Sequence, residues 1–120
     1  MISRTAQLRA LPNYELLAFT RELSTLDWQQ LTQADFDKID RFIESDGCTG
    51  VPDFYRNGCV IHDWWYRTHR NLDATPISEK QADVGLKEYI ISRSPLGRFS
   101  LISWWYYRGV RMFGKKAWRG

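Results

Sequence analysis

The sequence predicts an all-α protein, and three observations carry the prediction. Apolar residues recur every three or four positions in three segments, helix-capping residues stand before them, and no convincing strand pair is found. Asn13 is read as the cap of a first helix, in which Leu16, Leu17, Thr20 and Leu23 recur at helical spacing. Thr32, with Asp35 three residues on, forms a variant of the capping box and opens a second helix. Behind that cap Phe36, Ile39, Phe42 and Ile43 make one stripe. The stretch D-G-C-T-G-V-P-D, Asp46 to Asp53, holds two glycines and a proline and is expected to be an ordered loop. A third helix should begin between Arg56 and Gly58. Asn71 to Pro76 reads as a connection, after which Ser78 caps a fourth helix with Ala82, Leu86, Tyr89 and Ile90 inside. Pro95 and Gly97 break the chain, and a last helix is expected to end at Gly114. There are no internal repeats and no low-complexity segment.

With 120 residues, the chain is expected to form a single domain spanning 1–120. Apolar residues make up 43% and charged residues 26%, a balance that favours a folded core over disorder. The net charge is only +3, but it is unevenly placed. From Arg93 to Gly120 there are seven basic residues (Arg93, Arg98, Arg108, Arg111, Lys115, Lys116 and Arg119) and no acidic one. That end suits an anionic partner, either nucleic acid or an anionic lipid surface. No apolar run approaches the roughly 20 residues that a membrane span requires. The opening M-I-S-R-T-A-Q-L-R-A-L-P lacks the apolar core of a signal peptide, so a mature form or a non-standard route is expected. Cys48 and Cys59 are able to form one disulfide in an oxidising compartment. Closing so small a loop would add roughly 2–3 kcal/mol on a chain-entropy argument.

The stretch C-V-I-H-D-W-W-Y-R, Cys59 to Arg67, concentrates the reactive side chains. On a helix Cys59, His62 and Tyr66 share a face. Asp63 points about 100° away from His62, so the two side chains serve different partners. Asp83 falls between Ala82 and Leu86 on the buried stripe of the fourth helix, where a carboxylate is costly unless it is paired. If the third and fourth helices pack antiparallel, His62, Tyr66 and Asp83 meet. A carboxylate on one ring nitrogen fixes the tautomer and leaves the other nitrogen as a base. The competing reading is structural, a buried aspartate that bridges two helices. A zinc site from Cys48, Cys59, His62 and Asp63 lacks the paired short spacings such sites use.

Aromatic residues crowd two segments, with Trp64 and Trp65 in one and Trp104, Trp105, Tyr106, Tyr107 and Trp118 in the other. Adjacent tryptophans on a helix diverge, so at least one of each pair is expected at the surface. Trp64, Trp65, Trp104 and Trp118 are assigned to a lipid–water boundary, where amphipathic rings settle. Trp105 and Tyr106 are assigned to core packing or to scattered surface positions. Single-stranded nucleic acid is the rival ligand for such a composition, but no nucleic-acid motif accompanies it, and no nucleic acid is expected.

The pattern C-x-x-H-D-x-x-Y, here Cys59, His62, Asp63 and Tyr66, resembles the active-site helix of the secreted phospholipases A2, in particular their small prokaryotic branch. D-G-C-T-G-V-P-D is similar to that branch's calcium loop. Asp83, 21 residues after His62, matches the family's histidine-orienting aspartate. W-W-Y-Y-R-G-V-R-M-F-G, Trp104 to Gly114, is similar to the closing helix. The resemblance covers 42–114, leaving N-terminal helices in 1–41 and a basic tail at 115–120.

This resemblance implies a small helical domain with two antiparallel active-site helices and a calcium loop. It implies Ca²⁺-dependent hydrolysis of the sn-2 ester of glycerophospholipids at a phospholipid membrane surface, releasing fatty acid and lysophospholipid. His62 would take a proton from the attacking water, while Asp83 and Tyr66 would orient the imidazolium. Asp63, the Asp46 side chain and the Gly47 carbonyl would hold Ca²⁺, and a Cys48–Cys59 disulfide would tie the loop to the catalytic helix. An extracellular or particle-delivered protein, such as a viral one, is implied. Three features depart from the branch: the segment from Asp46 to His62 is several residues shorter, there are no cysteines for its second disulfide, and no signal peptide is visible although the family is typically exported. The alternative is a non-catalytic module of the same fold, or a virion structural part, that binds a protein assembly or nucleic acid through its basic aromatic C-terminus. The sequence assigns no oligomeric state.

Overall fold

A computed structural model describes residues 3–45, 55–93 and 101–119. Among them the chain forms six α-helices, one 3-10 turn at Trp28–Gln30, and no strand beyond an isolated bridge between Arg70 and Pro76. The helices are α1 (Arg4–Ala10), α2 (Asn13–Thr20), α3 (Gln33–Ile43), α4 (Arg56–Thr68), α5 (Glu79–Arg93) and α6 (Leu101–Arg119). No helix among the described residues is long and apolar enough to cross a membrane. The loop expected at 46–53 and the break at 95 and 97 lie outside the described residues.

Local chemistry explains most helix starts. Ser3 caps α1 by accepting from the Ala6 N–H at 3.1 Å. Thr32 and Asp35 form the reciprocal capping box read from the sequence. Asp35 is buried and also accepts from the backbone and hydroxyl of Ser24. Burial by itself would raise its pKa, but the bonds from Ser24 and Thr32 hold it down at about 2. Ser78 and Gln81 cap α5 in the same reciprocal way, at 3.1 and 2.9 Å.

Three boundaries differ from expectation. Leu23, read as part of the first helix, lies beyond α2, which ends at Thr20, and its N–H closes a tight turn on the Thr20 carbonyl at 3.1 Å. Asn13 is the first residue of α2 rather than its cap. Pro12 takes the cap position, extended at φ −68° and ψ 156°, and its carbonyl receives the N–H groups of Glu15 and Leu16. Gly114 does not end α6, which continues to Arg119. A glycine is needed there because a β-carbon would collide with the Tyr66 hydroxyl. The close approach of α6 to α4, and not a helix stop, accounts for this glycine.

Three of the helices form an antiparallel row. Gly58 faces Tyr89 and Leu86 while Tyr66 faces Asp83, so α4 and α5 run in opposite directions. Arg111 meets Asp83 and Tyr107 meets Lys87, which sets α6 antiparallel to α5. Arginines satisfy the carbonyls at several helix ends: Arg9 donates to Tyr66 O at 2.9 Å and Trp118 O at 2.6 Å, and Arg70 to Leu11 O at 2.8 Å.

Helix α4 is the centre of the core, and this overturns the surface assignment of Trp64 and Trp65, which are 0% and 1% exposed. The two rings do diverge, but each direction is covered. Phe19 and Phe42 pack on Trp64 at centroid distances of 5.8 and 6.0 Å. Trp28 meets Trp65 edge-on at 5.2 Å, and Gly85 leaves the space that Trp65 fills. A helix apolar on nearly every side belongs inside.

Candidate functional site

The antiparallel pairing of α4 and α5 brings together the side chains that spacing alone singled out. His62 and Tyr66 lie one turn apart on α4, and their rings stand 4.2 Å apart. Both address Asp83 Oδ1: the His62 Nε2 lies 2.8 Å away and the Tyr66 hydroxyl donates at 2.5 Å. Asp83 is 0% exposed and His62 is buried. The cost of placing a carboxylate there is offset by hydrogen bonds to both oxygens.

The second oxygen has a partner that the sequence reading missed. Arg111 of α6 donates from Nη1 to Asp83 Oδ2 at 3.0 Å and lies 3.8 Å from Glu79. Asp83 therefore links three helices. The bond to Asp83 raises the pKa of the Arg111 guanidinium, and burial followed by the same carboxylate pushes the Tyr66 phenol far up. Tyr66 thus keeps its proton and remains a donor. A signal for Arg111 existed in the sequence. Tyr106, Val110 and Gly114 recur at the spacing of an inward face, and Arg111 borders that face, although its place in a basic run suggested an anionic partner.

Asp63 points away from this cluster, as the helical angle requires, and accepts from the Ser45 hydroxyl at 2.7 Å. In the sequence Ser45 directly precedes the stretch expected to be the calcium loop. Asp46, Gly47 and Cys48 lie outside the described residues, and with them the loop ligands and the disulfide pairing. Cys59 is buried on α4. Among the described residues no group of three or more His, Cys, Asp or Glu side chains is placed to hold a metal ion.

The four tryptophans assigned to a membrane boundary divide. Trp64 and Trp65 belong to the core, as described above. Trp118 also departs from that assignment: its ring stacks on His69 at 3.9 Å and meets Tyr66 edge-on at 5.1 Å, which makes it a packing residue of the α4–α6 contact. Trp104 is 53% exposed. Its neighbour Trp105 is equally exposed, and Tyr106 is fully buried. A cavity of about 700 Å³ lies along α5 between Trp28, Ile77, Gln81 and Val84, and His62, Tyr66 and Asp83 are not among its lining residues. No protein-family model, no curated protein and no solved structure matches this chain.

Proposed function

We propose that this protein is a calcium-dependent phospholipase A2 that hydrolyses the sn-2 ester of glycerophospholipids, with His62 as general base. The observation that carries this reading is the buried contact of His62 Nε2 with Asp83, reinforced by Tyr66. Asp83 accepts hydrogen bonds on both oxygens, so in this pairing His62 Nε2 carries the hydrogen and Nδ1 keeps the lone pair. Nδ1 would take a proton from water as the water oxygen attacks the ester carbonyl carbon. The imidazolium would then return that proton to the departing glycerol oxygen as the carbon–oxygen bond breaks. Asp83 stabilises the imidazolium throughout, and Tyr66 and Arg111 hold Asp83 in place.

Asp63, with the Asp46 side chain and the Gly47 carbonyl, would hold Ca²⁺, a hard cation suited to oxygen donors. The Ser45–Asp63 bond supports that assignment because it anchors the chain beside Asp63 just before Asp46. When bound, the ion would supply positive charge for the substrate phosphate and the developing oxyanion.

Fatty-acid release from phospholipid vesicles tests the reading. Release should require calcium and fall by about 10²–10⁴-fold in His62→Ala. Activity that ignores chelator, or that persists in His62→Ala, overturns it. Calcium should also raise the thermal midpoint by mass action, and Asp63→Asn should abolish that rise.

A second reading, a non-catalytic module of this fold, is favoured by the Arg111–Asp83 ion pair, since a carboxylate bridging three helices also serves architecture. It predicts no lipid hydrolysis in any variant.

A further inference from the structure

Helix α6 has two faces of different chemistry. Its 19 residues span roughly 28 Å. Ser103, Tyr106, Val110 and Gly114 are buried and turn inward, with Arg111 at their edge. The exposed residues fall on the other side. At about 100° per residue, Leu101, Trp104, Trp105, Arg108, Met112 and Lys115 share an arc of about 100°. Leu101, Met112 and Trp105 lie along one side of this arc and are 82%, 65% and 53% exposed, while Arg108, Lys115 and Trp104 lie along the other. Arg108 lies over the Trp104 ring at 5.3 Å. Large apolar side chains exposed along one side of a surface helix are costly in water, so they point to a partner.

We propose that this outer face of α6 docks on anionic phospholipid bilayers. The helix carries no acidic residue, and none occurs between Arg93 and Gly120, so an anionic surface meets only complementary charge. The apolar side of this face selects lipid among anionic partners. Leu101 and Met112 cannot stack on bases, whereas aliphatic and indole groups both settle into the headgroup–acyl boundary. A second copy of the chain is disfavoured because pairing two such faces would bring Arg108 and Lys115 of each together without a counter-charge. Docking here also connects to the candidate site, since Arg111, at the border between the inner and outer faces of the same helix, donates to Asp83. For its ligand class the proposal rests on the phospholipid reading above.

The test is co-sedimentation of His62→Ala protein with phosphatidylcholine vesicles, with and without phosphatidylglycerol. Binding should require phosphatidylglycerol and weaken with salt. The triple variant Leu101→Ser, Trp105→Ala, Met112→Ser should lose at least about tenfold in partitioning. Arg108→Glu with Lys115→Glu should lose about tenfold or more, since each basic group near an anionic surface is worth about fivefold. Circular dichroism checks that both variants fold, as is expected for side chains this exposed. Equal binding to phosphatidylcholine alone, or binding unchanged in the triple variant, overturns the proposal. So does binding of an oligonucleotide or an acidic peptide in place of vesicles, or self-association that the triple variant abolishes. Hydrolysis of a soluble short-chain phospholipid by the unmodified protein separates the two claims. Docking without hydrolysis defeats only the catalytic reading, and hydrolysis without docking defeats only this one.

Discussion

Helices α4 and α6 each carry a Trp-Trp pair, and the pairs have opposite fates. Trp64 and Trp65 are buried while Trp104 and Trp105 are each 53% exposed. Indole chemistry is the same in both, so the neighbours must decide. Around its pair α4 presents Val60, Ile61, His62, Tyr66 and Thr68, all buried, against elements on several sides. Around its pair α6 presents Leu101, Arg108 and Met112, and it packs chiefly on α5, leaving an arc of about 100° exposed. A tryptophan's place thus depends on how many elements surround its helix. On α4 the rings hold the fold together, and on α6 they remain free to meet a partner.

The sharpest way to break this contrast is to truncate one ring from each helix. Trp65→Ala should destabilise by about 3–5 kcal/mol in denaturant unfolding, because it empties the space between Trp28 and Gly85. Trp105→Ala should cost less than about 1 kcal/mol. Comparable losses in both would mean that α6 is covered in the folded chain. The next contrast lies within α6 itself. Arg111→Ala should cost about 2–3 kcal/mol, since it strips a charged partner from a carboxylate with no solvent access. Met112→Ala, one residue along but facing outward, should fall within about 0.5 kcal/mol of the unmodified protein. If Met112→Ala proved the more damaging, the assignment of inner and outer faces would be wrong.

Much of this was legible because it follows from period and from single local interactions. The 3.6-residue repeat located α3, α4 and α5, and with them the encounter of His62, Tyr66 and Asp83. The capping chemistry of Thr32, Asp35 and Ser78 required only hydrogen bonds within one turn. What failed depended on contacts distant in sequence. Helix α1 buries only Leu8, so it gives no apolar stripe to read. Gly114 looked like a stop because the Tyr66 hydroxyl that demands it lies on another helix. Arg111 was counted with the basic end that suits an anionic partner, because its counter-charge sits 28 residues earlier in the chain. Burial of Trp64 and Trp65 required knowing that Phe19, Phe42 and Trp28 converge on α4, which no window of sequence contains.

The smallest expected effect lies where the two compared helices meet at their C-terminal ends. His69, left-handed at φ 57°, terminates α4, stacks on Trp118 of α6, and its Nε2 lies 2.9 Å from the Trp118 carbonyl. Burial, and then the charges of Arg9 and Arg70, lower the His69 pKa from 6.5, although the Trp118 carbonyl opposes the shift. The sign follows from proton counting. The unfolded chain protonates His69 more readily than the folded one, so protonation favours unfolding. This contribution to stability is whole above the unfolded value, about 6.5, and is lost as pH falls through it toward the lower folded value. Between about pH 8 and pH 5 the thermal midpoint of the unmodified protein should drop more than that of His69→Gln. Equal slopes would show that the α4–α6 junction does not resist the charge. The contrast between the helices would then rest on their side-chain faces alone, with no electrostatic latch where they join.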